Sequence, residues 1–375
     1  MKRKVKALLI RQARRLNNKL PKKYGYLHRE GTTTADEKEI KATVVYPGKT
    51  HSVSTFPFQM PVDIYAKDTP GKIYELRGGK VWGNTGTVIT RENVMMADVS
   101  NEFVEQPSRH SLFRQWKWQQ PALHKGTVAV IATTGATVYY HWLLQHLPRI
   151  HLLQRAGVIE KVDGIVLNYA ALPFQTDTLR TMGIPAGKLI KSNTRDFYLE
   201  SETLLVPSLP FHPFAFDNTA SWAFQFLKDT FLEKNESSPG KMWYVSRGSS
   251  RGRCIVNEDE LLPALQEAGF EKLELDNLPV KEQASLFIQA KMIVAPHGGA
   301  LANLVFCNPG TRVVEIFNEK WINPCFWDIA NKLNIEYHPY VAPFVESDHV
   351  KDIKHYDIKL DIADFTTFTK KLISA

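Results

Sequence analysis

The spacing of apolar positions changes character along the chain. Val5, Leu9, Ala13, Leu16 and Leu20 recur at helical spacing among basic residues, and Pro21 closes the run. This pattern predicts a short amphipathic helix. Residues 30–56 are polar and Thr-rich and read as a linker or an irregular entry. From about 61 to 100 the apolar runs are short. Lys72–Leu76, Val81-Trp82 and Thr87–Thr90 are separated by Gly78-Gly79 and Gly83-Asn84, which predicts a small antiparallel unit. Strand and helix signals then alternate. Val128–Ala132 reads as a buried strand, His141–Ala156 as a helix stopped at Gly157, and Gly164–Asn168 as a strand. A helix around Thr176–Met182 and a strand at Thr203–Val206 follow.

Phe211–Phe216 is aromatic and proline-rich with no period, so a domain boundary is placed there. Ser221–Glu233 reads as a helix, broken by Ser237-Ser238-Pro239-Gly240. The second half repeats the alternation more cleanly. Strand Met242–Val245 is followed by a helix opening at Asn257, with Glu260 placed to complete a capping box. Pro263 is awkward in its first turns and Gly269 ends it. Strand Leu273–Leu275, helix Lys281–Ala290, strand Met292–Ala295, helix Ala300–Phe306 and strand Val313–Phe317 complete the series.

Such alternation predicts parallel sheets with right-handed crossovers, hence an α/β chain. The 375 residues suggest two domains. The division read here is a basic arm at 1–29 and an α/β domain at 30–215. A nucleotide-binding Rossmann-like domain at 216–345 and a C-terminal segment at 346–375, returning to the first domain, complete it. Two α/β units imply ligands at the carboxyl ends of strands. Three cysteines (Cys254, Cys307, Cys325) are odd in number and lack metal-ligand spacing, which excludes a disulfide framework and disfavours zinc. No apolar run approaches a membrane span and no signal-peptide pattern opens the chain, so a reducing cytoplasmic location is expected.

Charge alters this picture in one place. Residues 1–29 hold eleven Lys/Arg and no acid, while the rest holds 36 basic and 39 acidic residues. The excess belongs to the arm, and a nucleic-acid-binding body is disfavoured. The arm suits docking on an anionic membrane surface. A solvated arm that aids solubility is the plainer alternative, and RNA binding a third.

The strongest chemical signal is Pro296-His297-Gly298-Gly299-Ala300-Leu301-Ala302-Asn303. A strand ends, two glycines follow, and a helix begins. That combination suits phosphate, because backbone N–H groups and the helix start face the ligand. The plainer alternative is a tight turn with a satisfied histidine. Arg247 lies just past the strand Met242–Val245, with Arg251 and Arg253 behind it. If both strands share a sheet, Arg247 and His297 share an edge, and an arginine fork matches phosphate oxygens. Glu315, eighteen residues after His297, is placed to accept from ribose hydroxyls or is an ordinary strand-end acid. In the first half, Tyr140-His141-Trp142 precedes Gln145-His146 and Pro148-Arg149. His141 and His146 are candidates for proton transfer. His146 and Arg149 otherwise read as solvated helix residues. Trp116 and Trp118 read as loop packing or a sugar platform. The chain has no Walker A, GxGxxG, HExxH or GxSxG pattern and no Asp-x-Asp. A leaving diphosphate would therefore rely on Arg, His and backbone N–H groups.

These residues are similar to those of the family 61 glycosyltransferases, bacterial capsular-polysaccharide type. The likeness is densest in Tyr244-Val245-Ser246-Arg247, Arg253, Lys281-Glu282-Gln283, Pro296–Asn303, Pro309-Gly310 and Val314-Glu315-Ile316. It is weaker in Tyr140–Leu144 with Leu147–Arg149, and in Gly78-Gly79 with Thr87–Thr90. The resemblance implies a GT-B-like pair of Rossmann-type domains. It also implies inverting, metal-independent transfer from a nucleotide-diphosphate sugar, a UDP-sugar first, with no further cofactor. Donor-site positions fall on Arg247, Arg253, His297, Gly298, Gly299, Ala300, Asn303 and Glu315. The usual His-Gly-Ala-Gly is His297-Gly298-Gly299-Ala300 here. In the family an acid, Asp or Glu, often stands four residues after the histidine that matches His141, whereas this chain has Gln145, and an amide cannot take a proton. The base then falls to His141, His146 or an acid elsewhere.

The expected activity is sugar transfer onto a glycan or lipid-linked acceptor in surface polysaccharide synthesis. The arm would hold the enzyme at the membrane; a homodimer is compatible with this. Two other readings remain open: an inactive nucleotide-sugar-binding protein, favoured by Gln145, and a Rossmann-type oxidoreductase, disfavoured by the missing GxGxxG.

Overall fold

The computed structural model describes residues 21, 23–27, 40–53, 66–104, 106–115, 119–212, 215–233, 240–248, 252–346 and 352–374. Most of the basic arm, Trp116, Trp118 and Arg251 lie outside them. The described chain divides into two compact units; the main change falls between Ala223 and Phe224, inside the helix Ser221–Phe231, and the described residues within His51–Ala66 group with the second unit.

The first unit is built on one mixed sheet. Its central strand, Tyr198–Pro207, pairs in parallel with Ala122–Val130, which continues in parallel to Gly164–Leu167 and Leu189–Lys191. On its other side the same strand pairs antiparallel with Gly71–Arg77 and Lys80–Trp82. The expected small antiparallel unit is therefore the continuation of the parallel sheet. Its runs were short enough to read as self-contained; only the ten-residue strand Tyr198–Pro207 joins them. The stretch read as a linker contains the strand Ile40–Tyr46, antiparallel to Gly71–Arg77. That strand is exposed through its middle, so no buried alternation announced it. Lys23–Gly25, assigned to the arm, pairs in parallel with Val94–Met96. Val128, Val130, Val166, Leu204, Val206, Tyr74, Leu76 and Val88 form the core of this sheet.

The second unit is a doubly wound α/β layer. Five parallel strands lie in the order Glu271–Leu273, Lys241–Val245, Ala290–Pro296, Arg312–Asn318 and Glu336–Ala342. In chain order this is 2-1-3-4-5, so the winding reverses between Lys241–Val245 and Ala290–Pro296. A crevice forms at such a reversal, outside the carboxyl ends of the two strands. The central strand reads Met292-Ile293-Val294-Ala295, buried throughout, as a parallel strand covered on both faces should be.

Two expectations fail in this unit. Asn257 makes no side-chain cap on the helix Glu258–Glu267. Its amide instead exchanges hydrogen bonds with the backbone of Leu360, at 2.9 and 3.1 Å, and ties down the C-terminal segment. That segment does not return to the first unit. Its helix, Ile362–Ser374, buries Phe365 against Leu261, Leu265 and Phe270 of the second. No helix among the described residues is long and apolar enough to cross a membrane.

Candidate nucleotide site and the histidine helix

Arg247 follows the strand Lys241–Val245 and His297 follows Ala290–Pro296, so they stand at the two strand ends that flank the reversal. Arg247 Nη1 donates to the carbonyl of His297 at 3.2 Å. A Cβ built on Gly298 would lie 2.1 Å from that same nitrogen. The glycine is thus required by the guanidinium and not by backbone strain, since its φ is extended. The turn Gly299–Phe306 is a 3₁₀ helix, and its first closing bond is Leu301 N to Gly298 O at 3.0 Å. The N–H groups of Gly299 and Ala300 precede that bond, as donors do at any helix start.

Arg253 completes the cluster. It adopts a left-handed backbone (φ 60°), and its N–H donates to His355 O at 3.1 Å. Its guanidinium lies 5.5 Å from the ring centre of Trp321. Burial and the neighbouring Arg247 push its pKa down to about 10, and burial likewise lowers Arg247. The Nε atoms of both arginines are buried without a hydrogen-bond partner. Two like charges held together with donors to spare can accept an anion.

His297 is buried among Phe317, Trp321 and Phe326, at ring separations of 5.3, 4.8 and 5.1 Å. Its Nδ1 is hydrogen-bonded to Glu315, whose other oxygen accepts from Tyr337 OH at 2.5 Å. Burial lowers His297 well below its ordinary value, helped by Arg253 and Arg247, and burial raises Glu315 well above its own. Glu315 is fully buried and both its oxygens are engaged, so it cannot be the ribose acceptor expected from the sequence. Register explains this: Glu315 pairs with Ala295, one residue below the strand end, and faces the imidazole. Asn303 is also turned inward. Its amide donates to Gln283 Oε1 at 2.8 Å and to Ala300 O at 3.1 Å, bracing the turn. Trp321 and Tyr337 gave no sequence signal, because each is isolated among ordinary loop or strand residues.

In the first unit, the helix through Tyr139–Arg155 contains a π turn at Trp142–His146. Such turns are frequent at functional sites. His141 is half-buried, with Nδ1 2.8 Å from Gln145 Oε1. Burial lowers its pKa, and the bond to Gln145 opposes that. His146 is not a proton-transfer group. It is fully buried and stacked on Trp142 at 5.4 Å. Its Nδ1 donates to His141 O at 3.0 Å, and burial holds its pKa down at about 3. Arg149, read as solvated, is fully buried. It donates to Ile131 O (2.6 Å), Ala132 O (3.2 Å) and, twice, to Pro207 O (3.2 and 3.1 Å). It therefore clamps the carboxyl ends of two adjacent parallel strands.

The sequence model of the glycosyltransferase 61 family matches residues 139–314. Residues 139–314 are a glycosyltransferase 61 domain. This domain begins at the histidine helix and ends on the strand of Glu315, so it contains His141, Arg247, Arg253 and the glycine turn. The chain is also similar to the beta-1,2-xylosyltransferase RCN11 of Oryza sativa subsp. japonica, with 26% identity over 139 residues. The aligned stretch covers 32% of this chain and 26% of that relative, so the chain spans about a quarter of the relative's length.

Proposed function

We propose that the protein is a glycosyltransferase that takes a sugar, a pentose or hexose, from a nucleoside-diphosphate donor, uridine diphosphate first, onto a hydroxyl of a glycan or lipid-linked acceptor. The observation that carries this reading is the pair Arg247 and Arg253. Two half-buried arginines, each with a buried and unpartnered Nε, stand with His297 beside the carboxyl ends of the strands that flank the reversal. A diphosphate supplies the charge and the acceptor oxygens this cluster lacks. In this reading the nucleotide is held by the second unit, at the reversal of its sheet.

Transfer proceeds with inversion and without a metal. The acceptor oxygen gives up its proton to His141 Nε2 and forms a bond to the anomeric carbon. The bond from that carbon to the diphosphate oxygen breaks, and its electron pair leaves with the nucleoside diphosphate. Arg247, Arg253 and the glycine turn stabilise the charge that develops there. Losing one such preorganised donor raises a barrier by about 2.7–4 kcal/mol. A role in surface polysaccharide synthesis, with the basic arm at an anionic membrane face, fits the charge of residues 1–29. Incubating the full chain with UDP-xylose, UDP-glucose and UDP-N-acetylglucosamine, and measuring released uridine diphosphate, tests the reading. Turnover of one donor supports it; a chain that binds none of them contradicts it.

A further inference from the structure

We propose that Gln145 is the positioning residue that sets the tautomer of His141, keeping the hydrogen on Nδ1 and the lone pair on Nε2. The proposal deepens the reading of His141 as the base and rests on it. An amide oxygen only accepts hydrogen bonds, so at 2.8 Å from Gln145 Oε1 the Nδ1 atom carries the hydrogen. A neutral imidazole has one N–H, and Nε2 is then the proton acceptor. This geometry gives the amide a use that needs no charge.

The ring is held where that bond can act. Gly135, in a left-handed conformation (φ 88°), lies against it; a Cβ there would stand 2.5 Å from His141 Cδ2. Phe103 and Tyr140 pack on it at ring separations of 5.4 and 5.2 Å. Gln145 itself is fully buried, and the carbonyl of His141 is tethered by His146 Nδ1 at 3.0 Å. The titratable groups packed about the ring are Tyr140 and His146 on the same helix. Glu102 precedes Phe103 on the opposing loop, and its oxygens bond to Ser111 and Thr85. In the transfer step the acceptor proton moves to Nε2 and gives the imidazolium, Nδ1 keeps its hydrogen throughout, and the proton on Nε2 then passes to solvent.

Nitrogen-15 NMR of the full chain labelled at histidine reads the tautomer without any need for turnover, with the His141 signals identified by their loss in His141→Asn. The expected wild-type spectrum has a protonated Nδ1 and an unprotonated Nε2. Gln145→Leu is expected to move the hydrogen to Nε2 and to lower kcat at least tenfold with donor KM unchanged. Circular dichroism checks that this variant is folded. Gln145→Glu is expected to restore the Nδ1–H form and kcat, with the acidic limb of the pH profile moved to higher pH. A hydrogen on Nε2 in the wild type would overturn the proposal, as would an unchanged kcat in folded Gln145→Leu. A wild type with the Nδ1–H form but no turnover on any donor would support the tautomer assignment and remove the transferase reading instead.

Discussion

Arg247 Nη1 rests on the carbonyl of His297, 3.2 Å away, in the space where a side chain on residue 298 would begin. Residues fifty positions apart in sequence are thereby locked into one binding edge. Gly298→Ala is expected to push the guanidinium aside. The backbone there is extended, and the displaced group is the far end of a flexible side chain. Stability should therefore fall by no more than about 1 kcal/mol, the low end of the cost of adding a methyl group to a packed position. Affinity for uridine diphosphate should fall at least tenfold. Calorimetric titration together with a urea melt separates the two effects.

Tyr337→Phe removes the donor to Glu315 and leaves a buried carboxyl oxygen without it. A buried acceptor left unsatisfied costs about 1–3 kcal/mol. The expected loss in a urea melt lies in that range, with nucleotide affinity reduced because the seat of His297 is loosened. A loss below about 0.5 kcal/mol would mean that water replaces the hydroxyl.

His146 predicts an acid sensitivity. Its folded pKa is held down at about 3 by burial, while the unfolded chain protonates it near 6.5. Between those values the unfolded state binds the extra proton, so stability is full above about pH 6.5 and falls as pH drops. The slope is about 1.4 kcal/mol per pH unit for one group. His146→Gln keeps a donor and cannot titrate. Denaturant melts from pH 7 to pH 5 should therefore show a smaller acid loss for this variant than for the wild type.

Arg149→Met is expected to destabilise the first unit by about 3 kcal/mol or more, since the carbonyls of Ile131, Ala132 and Pro207 lose buried donors. A thermal melt monitored by near-ultraviolet circular dichroism reads it.

What was legible in the sequence was the alternation and the turn chemistry. The runs Met242–Val245 and Met292–Ala295 are apolar enough to declare buried parallel strands, and both exist, each longer by a residue or more. The glycine turn after Pro296 and the arginine after Val245 declared a binding edge because both lie just past such runs. Strand order was not legible. It alone places those two ends beside one another, through the pairing of Tyr244 with Val294. The direction of side chains was also hidden. Glu315 and Asn303 match binding positions in a motif, yet a register one residue below the strand end and a buried amide partner turn both inward. His146 and Arg149 look solvated because polar residues at helical spacing usually are. Here the carbonyl of His141 takes the Nδ1 hydrogen of His146, and the carbonyl ends of two strands take those of Arg149, inside the core.

The central claim is that Arg247, Arg253 and His297 hold a diphosphate. Calorimetric titration of uridine diphosphate into the wild type and into Arg247→Ala/Arg253→Ala, with uridine as the control, tests it most directly. The account predicts binding of the diphosphate by the wild type, no binding of uridine at the same concentration, and loss of diphosphate binding in a variant that remains folded. Equal affinity of the folded double variant for uridine diphosphate would contradict it.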